Sequence, residues 1–191
     1  MTQEMNALKQ GLLIVDVQNE YFAGGKSELD HPIRALQNIE KILSAFREGH
    51  LPVIFIQHIS NRSGAGSFLP DTDGVLIHKT ISPQPGEYLV IKHAPNSFFE
   101  TNLLEIINTN QLNHLVICGM MSHMCIDSTV RACRDYGLGV TLLEDACAAK
   151  SLAFNGRTIP AQMVHDAFMA ALAGAFARVI TTDEFTLKTQ L

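Results

Sequence analysis

Six short aliphatic runs, separated by longer segments of helical period, restrict the fold of this chain more than any other feature. Residues 12–17, 52–58, 88–92, 114–118, 140–143 and 178–181 read as strands. The first, 12–17, is nearly all aliphatic, as a strand covered on both faces must be. Parallel strands need long crossovers, and helices supply them. The pattern therefore predicts an α/β fold: a three-layer α/β/α sandwich around a six-stranded, mostly parallel, Rossmann-like sheet.

The intervening segments fit that plan. Ile33, Leu36, Ile39, Ile42, Leu43 and Phe46 recur at helical spacing, with Gly49 placed as a stop. A second helix holds Leu103, Leu104, Ile106 and Ile107. A third, starting near Ser122 or His123, carries Ile126, Val130 and Cys133 on one face. On its outer face Asp127 with Arg131, and Arg131 with Asp135, are spaced for ion pairs. The last follows Pro160 and is rich in small residues from Ala167 to Ala177, a smooth face suited to close approach by the sheet or by a second subunit. Residues 59–87 break the alternation. They form a long Pro- and Gly-containing connection after a strand's carboxyl end, which reads as a pocket wall.

At 191 residues the chain is one domain's worth of protein, spanning 1–191. A net charge of -5 with no basic run argues against nucleic acid as a partner. No apolar run approaches the ~20 residues that cross a bilayer, so no membrane partner is expected. The polar start MTQEMNALKQ lacks a secretory core, and Cys118, Cys125, Cys133 and Cys147 form no C-x-x-C pair. They read as reduced thiols of a cytoplasmic protein.

Three polar residues interrupt the apolar pattern at strand ends: Asp16, Lys92 and, just beyond the fourth run, Cys125. In a parallel sheet these ends share one edge, so the side chains can converge. Cys125 sits near a helix start, where unsatisfied N–H groups favour an anion, and its thiolate is expected to form more readily than that of an exposed cysteine. The plain alternative is a buried thiol serving as a small apolar side chain. That is also the reading for the other three cysteines. Asp16, stripped of water in an apolar strand, needs a cation or a tightly held proton, and Lys92 is the candidate cation. A carboxylate beside a thiol can take its proton and return it to a leaving amine. Taken singly, an Asp in a turn and a snorkelling Lys are commoner than catalytic ones. Only the three together change the odds.

The same residues lie in the segments VDVQNEYF (15–22), VIKHAPNSF (90–98) and CGMMSHMCIDSTVRA (118–132). With these the chain resembles the isochorismatase-like cysteine hydrolase family over essentially its whole length. The resemblance implies that Asp16 is a proton shuttle, Lys92 the cation and Cys125 the nucleophile. It also implies a non-proline cis peptide between Met120 and Met121, with the N–H groups of Met121 and Cys125 aimed at an oxyanion. By likeness the chain forms a homodimer or higher homo-oligomer.

Known members of that family include nicotinamidases, N-carbamoylsarcosine amidase, ureidoacrylate and maleamate amidases and isochorismatase. Nicotinamidases carry an Asp-x-His metal pattern after the second strand, whereas this chain reads QHISNR (57–62), so no metal and no cofactor is expected. Members that cleave a vinyl ether lack the cysteine. The resulting expectation is hydrolysis of a small amide or carbamoyl-type C–N bond in a small-molecule substrate, through a cysteine thioester. Phe22, His58, Phe68 and Met124 are the expected pocket residues, while His93, His123 and His165 read as structural. Two alternatives stand beside it: a vinyl-ether hydrolase with Asp16 as general acid, and a non-catalytic binding or oligomerisation module.

Overall fold

The structure, a computed structural model, describes residues 7–189. Strands β1 (Gln10–Val15), β2 (Val53–His58), β3 (Tyr88–Lys92), β4 (His114–Met120), β5 (Gly139–Ala148) and β8 (Arg178–Ile180) form one sheet in the order β3-β2-β1-β4-β5-β8. Every neighbouring pair is parallel. The pleat sorts the side chains of β1 into two cores: Leu12 and Ile14 pack with helix α1 (Pro32–Glu48), Leu13 and Val15 with helices α2 (Leu103–Thr109) and α3 (Asp127–Asp135). Helix α4 (Ala161–Leu172) joins the second of these layers, and Phe185 of α5 (Thr182–Thr189) the first. The result is a helix, sheet, helix sandwich.

Helix α1 begins with Pro32 in its first turn and stops at Gly49, whose N–H bonds to the Ala45 carbonyl at 3.0 Å. Its buried stripe runs from Ala35 to Phe46, but Ile33 is exposed rather than part of it. Two further expectations need correction. Arg131 pairs with Asp127 at 2.9 Å but with no Asp135 carboxylate among the described residues; its guanidinium lies instead over the Phe176 ring, 4.5 Å from the centroid. The small-residue helix also ends sooner than its composition suggests. Gly174 takes a φ of +80°, and Ala173 and Ala177 form an isolated bridge. Ala167, Ala170 and Ala171 are exposed, so the protein's own sheet does not use that face.

Strand β5 runs on through Glu144 and Asp145 to Ala148, past a register shift against β4 between Ile117 and Gly119. A hairpin of β6 (Leu152–Phe154) and β7 (Arg157–Ile159) follows, turning at Asn155 and Gly156 with both φ values positive.

Candidate active site

Renumbered within the sheet, the strands run 3-2-1-4-5-6, so the chain leaves β1 and β4 toward opposite sides and a crevice opens at their carboxyl ends. Asp16 follows β1, Lys92 closes β3, and Cys125 lies in a turn of π-helix, Ser122–Ile126, directly after β4. Lys92 Nζ is 2.7 Å from Asp16 Oδ2 and 3.2 Å from Cys125 Sγ, and it donates to the Ala94 carbonyl at 3.0 Å. These three partners use all three ammonium protons. Asp16 and Lys92 are fully buried and Cys125 is 6% exposed. Apart from Lys92 and the thiol, no donor among the described residues reaches either Asp16 oxygen. The carboxylate is therefore committed to the cation and the sulfur.

Backbone geometry makes this meeting possible. If the pleat of β1 continued, Asp16 would follow Leu12 and Ile14 toward α1, away from Lys92, which shares the opposite face with Val90. The strand instead stops at Val15, and Asp16 adopts a φ of +51°. Opposite it, Gly119 has a φ of +127°, and a Cβ there would lie 2.0 Å from the Val15 carbonyl oxygen. Only glycine permits β1 and β4 to approach so closely at the site. The Met120–Met121 peptide bond is cis.

The electrostatics correct one expectation. Burial pushes the Cys125 thiol up, the Asp16 carboxylate pushes it further, and Lys92 offsets only part of this. Burial at this position therefore works against the thiolate, which does not form more readily than that of an exposed cysteine. Burial also opposes the charge on Lys92, but Asp16 and Cys125 together hold its pKa above the ordinary value.

The Ser122–Ile126 turn that carries Cys125 is tied down from α4. His165 Nδ1 lies 2.8 Å from Ser122 Oγ, which in turn reaches the Ala148 carbonyl at 3.2 Å, and the His123 ring sits edge-on to Phe168. His93, which follows Lys92, has its Nδ1 2.7 Å from the Ile59 carbonyl oxygen. Of the expected pocket residues, His58 and Phe68 come together, ring centroids 5.4 Å apart. Tyr21 packs on the other edge of Phe68 at 4.9 Å. Burial raises the Tyr21 pKa first, and the nearby Cys125 and Asp16 add to it, which sets this ring beside the triad. Phe22 is turned against His78 at 4.4 Å, and Met124 is 43% exposed on the Ser122–Ile126 turn.

Several residues that hold the site were not singled out by sequence reasoning. Gln18 clamps the backbone of His58, accepting its N–H at 2.8 Å and donating to its carbonyl at 2.8 Å. Gln18 also donates to the Val75 carbonyl, as does Gln57. Glu20, buried, accepts the backbone N–H groups of Phe68 and Lys26 at 2.9 and 3.0 Å. The signal was present: Gln18, Glu20 and Tyr21 all fall within the VDVQNEYF segment. Among the described residues, no group of three or more His, Cys, Asp or Glu is placed to hold a metal ion. No helix among them is long and apolar enough to cross a membrane.

Comparison with known proteins agrees with this architecture. Residues 10–184 match the model of the isochorismatase domain. The chain is 47% identical to the isochorismatase family protein YddQ of Bacillus subtilis (strain 168) over 174 residues, 91% of this chain and 97% of that one. It is 26% identical to the ureidoacrylate amidohydrolase RutB of Agrobacterium fabrum (strain C58 / ATCC 33970) over 168 residues, 71% of this chain and 74% of RutB. The crystal structure of an isochorismatase from Pseudomonas putida KT2440 superposes with a TM-score of 0.87 at 35% identity, covering 92% of this chain and 89% of that one. On sequence and fold together, the chain belongs to the isochorismatase family of hydrolases.

Proposed function

We propose that the protein is a cysteine-dependent hydrolase that cleaves a small amide or carbamoyl-type C–N bond through a thioester on Cys125. The observation that carries this reading is the single ammonium of Lys92 bridging Asp16 and Cys125 in a water-excluded strand-end crevice. An apolar role for Cys125 needs neither partner. The amidohydrolase activity named for RutB supports the bond type.

In the proposed first half-reaction Asp16 takes the thiol proton as the sulfur attacks the carbonyl carbon. A concerted transfer suits a thiol held above its ordinary pKa, since no free thiolate has to accumulate. The N–H groups of Met121 and Cys125 hold the oxyanion; that of Met121 has no hydrogen-bond partner among the described residues. Protonated Asp16 then delivers its proton to the leaving nitrogen, and ammonia or an amine departs. Water, deprotonated by the same carboxylate, cleaves the thioester and returns the proton to sulfur. Lys92 stays charged and balances whichever of Asp16 and Cys125 is anionic. The partner in this reading is a small molecule, and the exposed small side chains of α4 offer a face for a second copy of the chain.

Ammonia release from a panel of small primary amides tests the reading. Cys125→Ala is expected to lower turnover by at least about 1000-fold while the protein still unfolds cooperatively. Asp16→Asn is expected to block acyl transfer or to leave a mass adduct on Cys125. Full turnover by Cys125→Ala would remove the nucleophile from the mechanism.

A further inference from the structure

The turn that carries Cys125 has few anchors of its own. Within Ser122–Ile126 the N–H groups of Met124 and Ile126 share one acceptor, the Met121 carbonyl, at 3.0 and 3.2 Å. Turns of π-helix are rare and occur mostly at functional sites. Here α4 supports the turn at two points. The His123 ring lies edge-on to Phe168, and His165 Nδ1 is 2.8 Å from Ser122 Oγ. Val164, Met169 and Leu172 bury one side of α4 in the body of the protein, which makes the helix a firm mount.

The contacts of Ser122 decide which nitrogen of His165 carries the proton. Ser122 is fully buried, and its hydroxyl has one proton for two neighbours, His165 Nδ1 and the Ala148 carbonyl at 3.2 Å. The carbonyl can only accept. Both contacts are hydrogen bonds only if His165 donates its Nδ1–H to Ser122 and Ser122 donates to Ala148. Nε2 then holds the lone pair. It has no hydrogen-bond partner among the described residues, and His165 lines a cavity of about 220 Å³ at the carboxyl end of β5, where water can satisfy it. Burial holds this imidazole below its ordinary pKa, with Glu144 and Asp166 opposing, so the ring is neutral near pH 7. A proton added at Nε2 at lower pH leaves the Nδ1–H donor in place.

We infer that His165 is a positioning residue for Cys125. Its Nδ1–H fixes the hydroxyl of Ser122, and Ser122 fixes the first residue of the turn against the end of β5. The turn sets where Sγ stands relative to Lys92 Nζ, 3.2 Å away, and where the Cys125 N–H points. A displacement of about 1 Å at a reacting atom can cost about 100-fold in rate, so a hydrogen bond three residues from the sulfur is close enough to matter. The rate effect rests on the amidase reading, whereas the placing of Cys125 holds whichever bond is cleaved.

Three full-length variants test this. His165→Phe keeps a ring and loses the donor, His165→Asn puts an amide N–H near the Nδ1 position, and Ser122→Ala breaks the chain in its middle. With a primary amide that the wild type hydrolyses, His165→Phe is expected to lower kcat about 10- to 100-fold with KM changed less than about twofold. His165→Asn should recover most of that loss. Ser122→Ala should match His165→Phe, and the double variant should be no worse than either, because both remove the same chain. Alkylation of Cys125 by iodoacetamide, followed by mass from about pH 6 to about pH 10, reads the placement without any substrate. Wild type and His165→Asn should not follow the titration of an ordinary thiol near about pH 8.5, whereas His165→Phe and Ser122→Ala should, as the sulfur leaves Asp16 and Lys92. A histidine that only adds stability would lower the thermal midpoint in His165→Phe and leave kcat and the alkylation profile as in wild type. That result overturns the inference, as do equal losses in His165→Phe and His165→Asn or losses that multiply in the double variant. Wild-type protein that hydrolyses no amide would overturn the amidase reading instead, and the alkylation profiles would still decide the role of His165.

Discussion

Asp16, Lys92 and Cys125 sit at strand ends, 0%, 0% and 6% exposed, and hold one another by an ion pair and a shared ammonium. Across the crevice, residues 59–87 contain no strand and only two short 3-10 turns, and much of their surface is open. Side chains reaching in from elsewhere help that segment keep its shape. Gln18 and Gln57 grip the Val75 carbonyl, and Glu20 holds Phe68 at a φ of +55°. In the proposed reaction the groups that move protons are mounted on or beside ladder-bonded strands, while the proposed pocket wall is a loop pinned by side-chain contacts. Chemistry and selectivity should then respond differently to mutation.

The largest expected effect is on the strand-end side. Lys92→Met strands a fully buried carboxylate and should cost about 3–5 kcal/mol of stability along with all measurable turnover. Adding Asp16→Asn to it should restore most of the stability and none of the activity. Urea unfolding and ammonia release on the single and double variants measure both, and a Lys92→Met protein as stable as wild type would mean that Asp16 is not held as an anion.

On the loop side, Glu20→Ala should leave the Phe68 and Lys26 N–H groups unpaired at a cost of about 1–3 kcal/mol. Because Glu20 positions Phe68 and touches no reacting atom, KM is expected to rise about tenfold with kcat nearly unchanged. Equal losses in kcat and kcat/KM would show that the loop shapes the transition state as well, and the division drawn above would fail.

The smallest effect reaches both sides at once. His58, His114, His123 and His165 are each held below the ordinary imidazole value of 6.5, with burial the leading cause. As pH falls through that value the unfolded chain takes up protons that the native one resists, so stability is complete above it and declines below. The thermal midpoint is therefore expected to drop between about pH 7 and pH 5, with a shallower slope in His58→Gln. A flat midpoint over that range would contradict the burial of these rings.

Much of the fold was legible because buried parallel strands must be aliphatic on both faces. The run ending at His58 coincides with an observed strand end and is buried along nearly all its length; the run ending at Lys92 coincides as well although Leu89 and Ile91 on this edge strand are exposed, and Gly49 stops α1 as its position suggests. The polar half of β5 and the short β6–β7 hairpin escaped that test, since a strand that carries Glu144 and Asp145 or lies on the surface has no aliphatic run. For the hairpin, Asn155-Gly156 was the available signal. The three site residues stood out because each is a polar interruption of an apolar pattern. Gln18, Glu20 and Tyr21 did not, because a residue that anchors a loop looks like any other residue of a turn.

What the amino-acid order determined alone is the layered sheet and the identity of the polar groups delivered to one edge, because periodicity and apolar runs are local properties. The meeting of those groups was decided by tertiary structure. Asp16 turns toward Lys92 through a left-handed backbone that Gly119 and the β1–β4 approach accommodate. Desolvation raises the thiol pKa above its ordinary value. Each of these depends on how much water and which charges surround a group. Those surroundings come from segments far apart in the chain, so no local pattern encodes them.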